Sequence, residues 1–186
     1  MRITAVAAAM FADRGWSGTT IAAVAEAADV SADLVASAFG GKAGLLMAAL
    51  RRVGFGSHLN LLEAFAALRL DDEPSREVRL DRIVELACTA HAAMAPIFAV
   101  LPLAADQDLE LRRLVAASDQ NLHDIAGEVV RLLAPGPVHP DAVDEIYVLT
   151  QSQTYLALVR DRGWSLDRYG DWLRRRLWAA VQPPTD

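Results

Sequence analysis

The sequence predicts an all-α protein. Three observations predict it. No stretch sustains the apolar–polar alternation of a strand, apolar residues recur at spacings of three and four along most of the chain, and glycine and proline turn signals lie far apart. Read in order, the pattern gives about nine helices.

The first helix covers residues 2–14, where Ile3, Val6, Ala7, Met10 and Phe11 form a core-facing stripe. Gly15-Trp16-Ser17-Gly18-Thr19-Thr20 breaks it. Thr19 and Thr20 then stand at the start of a second short helix, Ile21 to Ala28, as candidate caps. The break Asp29-Val30-Ser31 leads into a third helix, Ala32 to Phe39, capped by Ser31. Two short helices joined by a tight turn are the outline of a helix-turn-helix, whose second helix lies in the DNA major groove.

Gly40-Gly41-Lys42 opens a fourth helix over 42–69, interrupted at Gly54 and Gly56. Phe39 and Leu45 join the core face of the first helix. Asp71-Asp72-Glu73-Pro74 is a loop, and Ser75 caps a fifth helix that runs to Met94. Pro96 and Pro102 bound a short sixth element, because proline removes a helix hydrogen bond and restricts its predecessor. Asp106 caps a long seventh helix ending near Leu133, and Pro135-Gly136-Pro137 stops it. Pro140 opens an eighth helix reaching Arg160. After the turn Asp161-Arg162-Gly163-Trp164, Ser165 caps a ninth helix reaching Val181, which Pro183-Pro184 end.

The 186 residues are 53% hydrophobic, which implies apolar surface buried against a second subunit or around a ligand. The longest uncharged stretch, Leu86 to Ala105, is broken by Thr89, His91, Pro96 and Pro102 and is not read as a membrane span. The start of the chain lacks the long apolar run of a signal peptide, so a cytoplasmic protein without a membrane partner is expected. The single cysteine, Cys88, excludes an internal disulfide and a multi-cysteine zinc site. The net charge of −6 is unevenly spread: residues 1–52 carry +1, leaving −7 on the remainder. An acidic body with a near-neutral head fits contact with DNA at one end only.

Catalytic patterns are missing. There is no Gly-x-Ser-x-Gly turn and no phosphate loop, and His58, His91, His123 and His139 do not fall at ligand spacing with carboxylates. Neither an enzyme nor a cofactor or metal is expected.

The residues of the first fifty positions resemble the TetR family of transcriptional regulators. The resemblance is carried by Val6-Ala7-Ala8-Ala9-Met10-Phe11, Gly15-Trp16, Thr19-Thr20, Val24 to Ser31, and Phe39-Gly40-Gly41-Lys42-Ala43-Gly44-Leu45, in order and without a gap. It implies a helix-turn-helix head over 1–50 and a ligand-binding and dimerisation domain over 51–186. It also implies that Lys42, the only lysine, points at a backbone phosphate of operator DNA. Thr19, Thr20, Ser31 and Ser37 are the other candidate DNA-binding residues. The function implied is a repressor released from DNA by a small, mostly apolar molecule. Departures lie on the DNA-facing side. Ala36 stands where the family usually has tyrosine, Leu34 where a small or hydroxyl residue is common, and Ala22 and Ala23 where arginine often stands. The third helix has no Arg, Lys, Asn or Gln, the side chains that read base edges bidentately. The alternative is therefore a TetR-fold ligand-binding or protein-interaction module without specific DNA binding.

The candidate ligand-binding residues interrupt apolar stripes. His91 and Met94 lie on the fifth helix with Leu80, Val84 and Ala87; Phe98 follows; Ser118 interrupts the seventh helix and Gln151 the eighth. A buried core histidine or a subunit interface would accommodate the same pattern. The last two helices are apolar on more than one side and so need two partners, the second being a symmetric subunit. Tyr147, Thr150, Tyr155, Leu166, Leu173 and Leu177 are the expected homodimer interface.

Overall fold

A computed structural model describes residues 2–58 and 60–183. Every regular element among them is helical, as the sequence predicts: α1 (Arg2–Gly18), α2 (Ile21–Ala28), α3 (Ala32–Phe39), α4 (Lys42–Phe55), α5 (Leu61–Ala66), α6 (Arg76–Phe98), α7 (Leu101–Gln107), α8 (Leu109–Leu133), α9 (Ala142–Leu149), α10 (Ser152–Tyr155) and α11 (Leu166–Ala180). No single helix among the described residues is long and apolar enough to cross a membrane. Pro184, part of the expected terminal stop, lies outside the described residues.

The chain forms two compact units. One comprises Met1–Asn60 and Ala93–Ser118, the other Leu61–Ala92 and Asp119–Asp186. The expected boundary at residue 50 falls inside α4, which continues to Phe55.

In the first unit, α1 packs on α2, α4 and α7. Gly15 interrupts α1 with φ 67°, a conformation open to glycine at little cost, and the chain resumes a helical turn to Gly18. Ala7 and Phe11 of the α1 stripe, Val24 and Ala28 of α2, Val35 of α3, and Leu45, Leu46 and Ala49 of α4 fill the core. Burying one such leucine or phenylalanine stabilises by roughly 1.5–3 kcal/mol, so tertiary packing holds helices of eight residues that would be marginal alone.

Three local expectations are corrected. The expected helix over 42–69 ends at Phe55, and α5 is a separate short helix. The fifth helix of the sequence does not end before Pro96: α6 runs through it to Phe98, because the proline forfeits one backbone bond while buried Met94 and Ile97 anchor the turns on either side. Asp108, not Asp106, caps α8: its Oδ1 accepts from the Leu111 amide at 2.8 Å.

In the second unit, the expected helix from Pro140 to Arg160 is broken. α9 stops at Leu149, Gln151 is extended, and after α10 the chain makes a π turn over Leu156–Arg160. Side-chain bonds to the backbone compete with the helix here. The Thr150 hydroxyl donates to the Ile146 carbonyl at 2.8 Å, and the Thr154 hydroxyl to the Val148 carbonyl at 2.6 Å. Ser165 caps α11 as expected, accepting from the Arg168 amide at 3.2 Å. Arg76 and Arg79 donate to the Leu133 and Leu132 carbonyls, the free ends of α8.

Candidate nucleic-acid interface

The sequence places a turn between α2 and α3, and the backbone closes it tightly. Asp29 adopts the left-handed conformation at φ 56°, ψ 50°, and the Val30 amide returns to the Ala25 carbonyl at 3.0 Å. Ser31 then caps α3, its Oγ accepting from the Leu34 amide at 3.2 Å. Thr20 caps α2 in the same way, accepting from the Ala23 amide at 3.1 Å. Both hydroxyls are on exposed residues at helix starts, where backbone amides favour anions.

Thr19 does not belong with them. It is fully buried, and its hydroxyl donates inward to the Met10 and Gly15 carbonyls at 3.1 and 2.9 Å. Its expected DNA contact is corrected to a core role: it ties the turn that follows Gly15 to the body of α1. Thr19→Val keeps the volume and loses both bonds. It is expected to lower stability by about 1 kcal/mol and to leave the exposed surface unchanged. Equal denaturant midpoints for the two proteins would refute this.

Burial fixes the orientation of α3. Val35 is fully buried, Ala36 and Phe39 are half-buried, and Ala32, Asp33, Leu34, Ser37 and Ala38 are exposed. Ser37 therefore lies on the outward face, as the sequence reading requires. Lys42 begins α4 just beyond. Its Nζ stands 4.2 Å from the centre of the Trp16 ring, a cation–π contact that sequence reasoning missed. Trp16 is itself stacked 6.0 Å from Phe11, so the lysine is held by a core-anchored ring. Burial holds Lys42 below the ordinary lysine value, opposed by the Asp108 carboxylate.

A cleft of about 260 Å³ lies behind α3, lined by Phe39, Gly40, Met47, Arg51, Glu110 and Leu114 among others. None of the five residues expected to bind ligand lines it. Met94, Phe98 and Ser118 are in the first unit: Met94 is buried against Gly54, Phe98 is half-buried and Ser118 is exposed. His91 and Gln151 are in the second. There His91 is buried between Tyr155 and Tyr169, with ring centres 5.3 and 6.2 Å away and the Tyr169 hydroxyl 3.3 Å from Nδ1. Burial pushes its imidazole down to about 4, against the opposing pull of a hydrogen bond to the Thr150 backbone. The nearby Cys88 thiol is pushed up to about 11 by burial, which keeps it protonated and unreactive at neutral pH.

The expected dimer residues divide. Tyr155, Leu173 and Leu177 are buried within their own unit, so they have no surface to offer a partner, and this part of the expectation is corrected. The row Tyr169, Leu173, Leu177 is the inward face of α11. Leu166 is 41% exposed, while Tyr147 and Thr150 are half-buried, the Tyr147 hydroxyl donating to Asp119 at 2.5 Å. Val148 on α9 is 55% exposed.

The amino-terminal helices are thus a helix-turn-helix with an outward second helix. The family model for bacterial regulatory proteins of the tetR family matches residues 3–49. That segment is a TetR-type helix-turn-helix domain, and the match supports a transcriptional regulator of this family. No curated protein matches the chain.

Proposed function

We propose that the chain is a DNA-binding transcriptional regulator that acts as a homodimer and is released from its operator by a small, mostly apolar molecule. The observation that carries the reading is the α2–α3 arrangement. A tight left-handed turn and two hydroxyl caps hold α3 with one face buried and the other turned outward, as groove entry requires. Two heads on a symmetric dimer would meet successive major grooves roughly 34–36 Å apart. In this reading residues 1–50 are the DNA-binding head and the rest of the chain carries the ligand and subunit contacts. Leu166, Tyr147, Thr150 and the exposed Val148 are the partner-facing residues. A ligand that binds one arrangement of the heads better than another would shift the population off DNA. Within the second unit, His91 and Gln151 are the residues for ligand mutagenesis; within the first, Met94, Phe98 and Ser118 are tested separately. An uncharged ligand suits a buried neutral imidazole, because an unpaired charge beside it would be costly to bury.

Selection of duplexes from a random library by the full-length protein tests the reading, with enrichment of a symmetric site as the expected result. Lys42→Ala is expected to weaken binding roughly tenfold and evenly across sequences, since a phosphate contact carries no base information. A loss confined to some sequences, or no loss, would contradict that role. The second reading, a TetR-fold module that has lost specific DNA binding, is favoured by one observation: the outward face of α3 carries no Arg, Lys, Asn or Gln, the side chains that ordinarily read base edges bidentately. A selection that enriches no sequence would choose it.

A further inference from the structure

We infer that α3 reads its operator through the methyl groups of thymine, with Leu34 as the specificity-determining side chain. This rests on the DNA-binding reading proposed above. The outward face of α3 consists of Asp33, Leu34, Ser37 and Ala38. Purine edges are ordinarily read by Arg, Lys, Asn or Gln, and none is present in this helix. The face must discriminate by other means.

Leu34 is the largest side chain on that face and is 51% exposed. It is the third residue of α3, in the first turn, and the first turn is the part of a recognition helix that reaches base edges. The Ser31 cap bonds the Leu34 amide itself and so fixes the backbone from which the side chain projects. Fully buried Val35 prevents the helix from rolling this face inward. Ala38, one turn beyond Leu34 on the same face, carries only a methyl group, which lets the helix approach the groove floor closely. Thymine alone among the four bases presents a methyl group in the major groove, and apolar side chains read it by contact. Asp33, beside Leu34, is an acceptor only. It suits an amino group of adenine or cytosine and repels the acceptor edge of guanine.

The test uses the full-length protein and the duplex it enriches from a random library. Each thymine is replaced in turn by deoxyuridine, which removes only the C5 methyl. At one or two positions in each half-site the loss is expected to be about fourfold per methyl. Leu34→Ala is expected to weaken binding to the thymine duplex by a similar factor and to abolish the difference between thymine and deoxyuridine there. Binding to unselected DNA should fall by less than binding to the thymine duplex. The deoxyuridine arm alters only the DNA, so it does not depend on how the variant folds. Wild-type binding indifferent to every deoxyuridine, or an effect that persists undiminished in Leu34→Ala, overturns the inference and leaves the DNA-binding reading standing. If no duplex of any sequence is bound, that reading falls and the inference with it; the exposed leucine then belongs to a protein-binding face.

Discussion

Gly44→Ala is expected to destabilise the amino-terminal head, although glycine to alanine ordinarily strengthens a helix. Gly44 is the third residue of α4, and a Cβ built there would overlap the Phe39 carbonyl oxygen and lie 3.1 Å from its carbonyl carbon. The obstruction is backbone, not the movable end of a side chain. The gain in helix propensity is about 1 kcal/mol, whereas forcing extra volume into a packed contact costs typically 1–3 kcal/mol and sometimes more. The cost wins, and it falls on the junction that sets α3 against α4. Relief would require moving the last turn of α3 outward, which would tilt the whole outward face. The expected results are a denaturant midpoint lowered for the amino-terminal helices and a larger loss of DNA binding than any single surface substitution produces. Gly127→Ala, in α8 where a Cβ meets nothing, serves as the control and is expected to be neutral or slightly stabilising. If Gly44→Ala matched that control, the close approach of α4 to Phe39 would be wrong.

Much of this head was legible in the sequence because its signals are local. Thr20 and Ser31 announce their helices as caps, and Asp29 announces the left-handed turn between them. The i, i+3, i+4 stripe of α1 gave Ala7, Met10 and Phe11 as core. What depended on tertiary partners was not legible. Thr19 and Thr20 are chemically alike neighbours, yet one hydroxyl points into the core and the other caps. Only the kink at Gly15, which brings the Met10 and Gly15 carbonyls to Thr19, separates them. Lys42 reads as a phosphate-pointing residue at the start of its helix, but that Trp16 comes to it from another helix is not written in its neighbours. Leu173 and Leu177 sat on one of two apolar sides of α11, and periodicity cannot say which side the chain itself covers. The break at Thr150 was hidden for a related reason: threonine and glutamine are compatible with a helix, and the side-chain bonds to the backbone that accompany the break form only in the folded chain.

That break also shapes the second large effect, a loss of stability in mild acid that His91 controls. Because α9 ends at Leu149, the Thr150 backbone is available to hydrogen-bond the buried imidazole, while the Tyr169 hydroxyl stands at Nδ1. The neutral ring is satisfied there; the protonated ring is penalised chiefly by burial, which pushes its value down from 6.5 to about 4. From about pH 6.5 down to about 4 the unfolded chain therefore holds a proton that the folded chain refuses, so stability rises with pH across that window and is lost as pH falls through it. Above the window both states are neutral, and below it both are protonated, so this group adds no further slope. The full loss amounts to about 3 kcal/mol, a large share of the stability of a typical domain. Carboxylates titrate toward the acid end of the same range, so the acid sensitivity of the native protein alone would not identify the cause. His91→Gln separates them. It can still hydrogen-bond Tyr169 and the Thr150 backbone, and it does not titrate. At pH 7 the variant is expected to be the less stable protein, having lost ring contacts with Tyr155 and Tyr169. Between pH 6.5 and 4.5 its deficit should shrink steadily, because only the native protein pays for a buried imidazolium. Urea unfolding at half-unit pH steps reads the difference directly, and two curves that stay parallel across the window would show that His91 is not the group responsible.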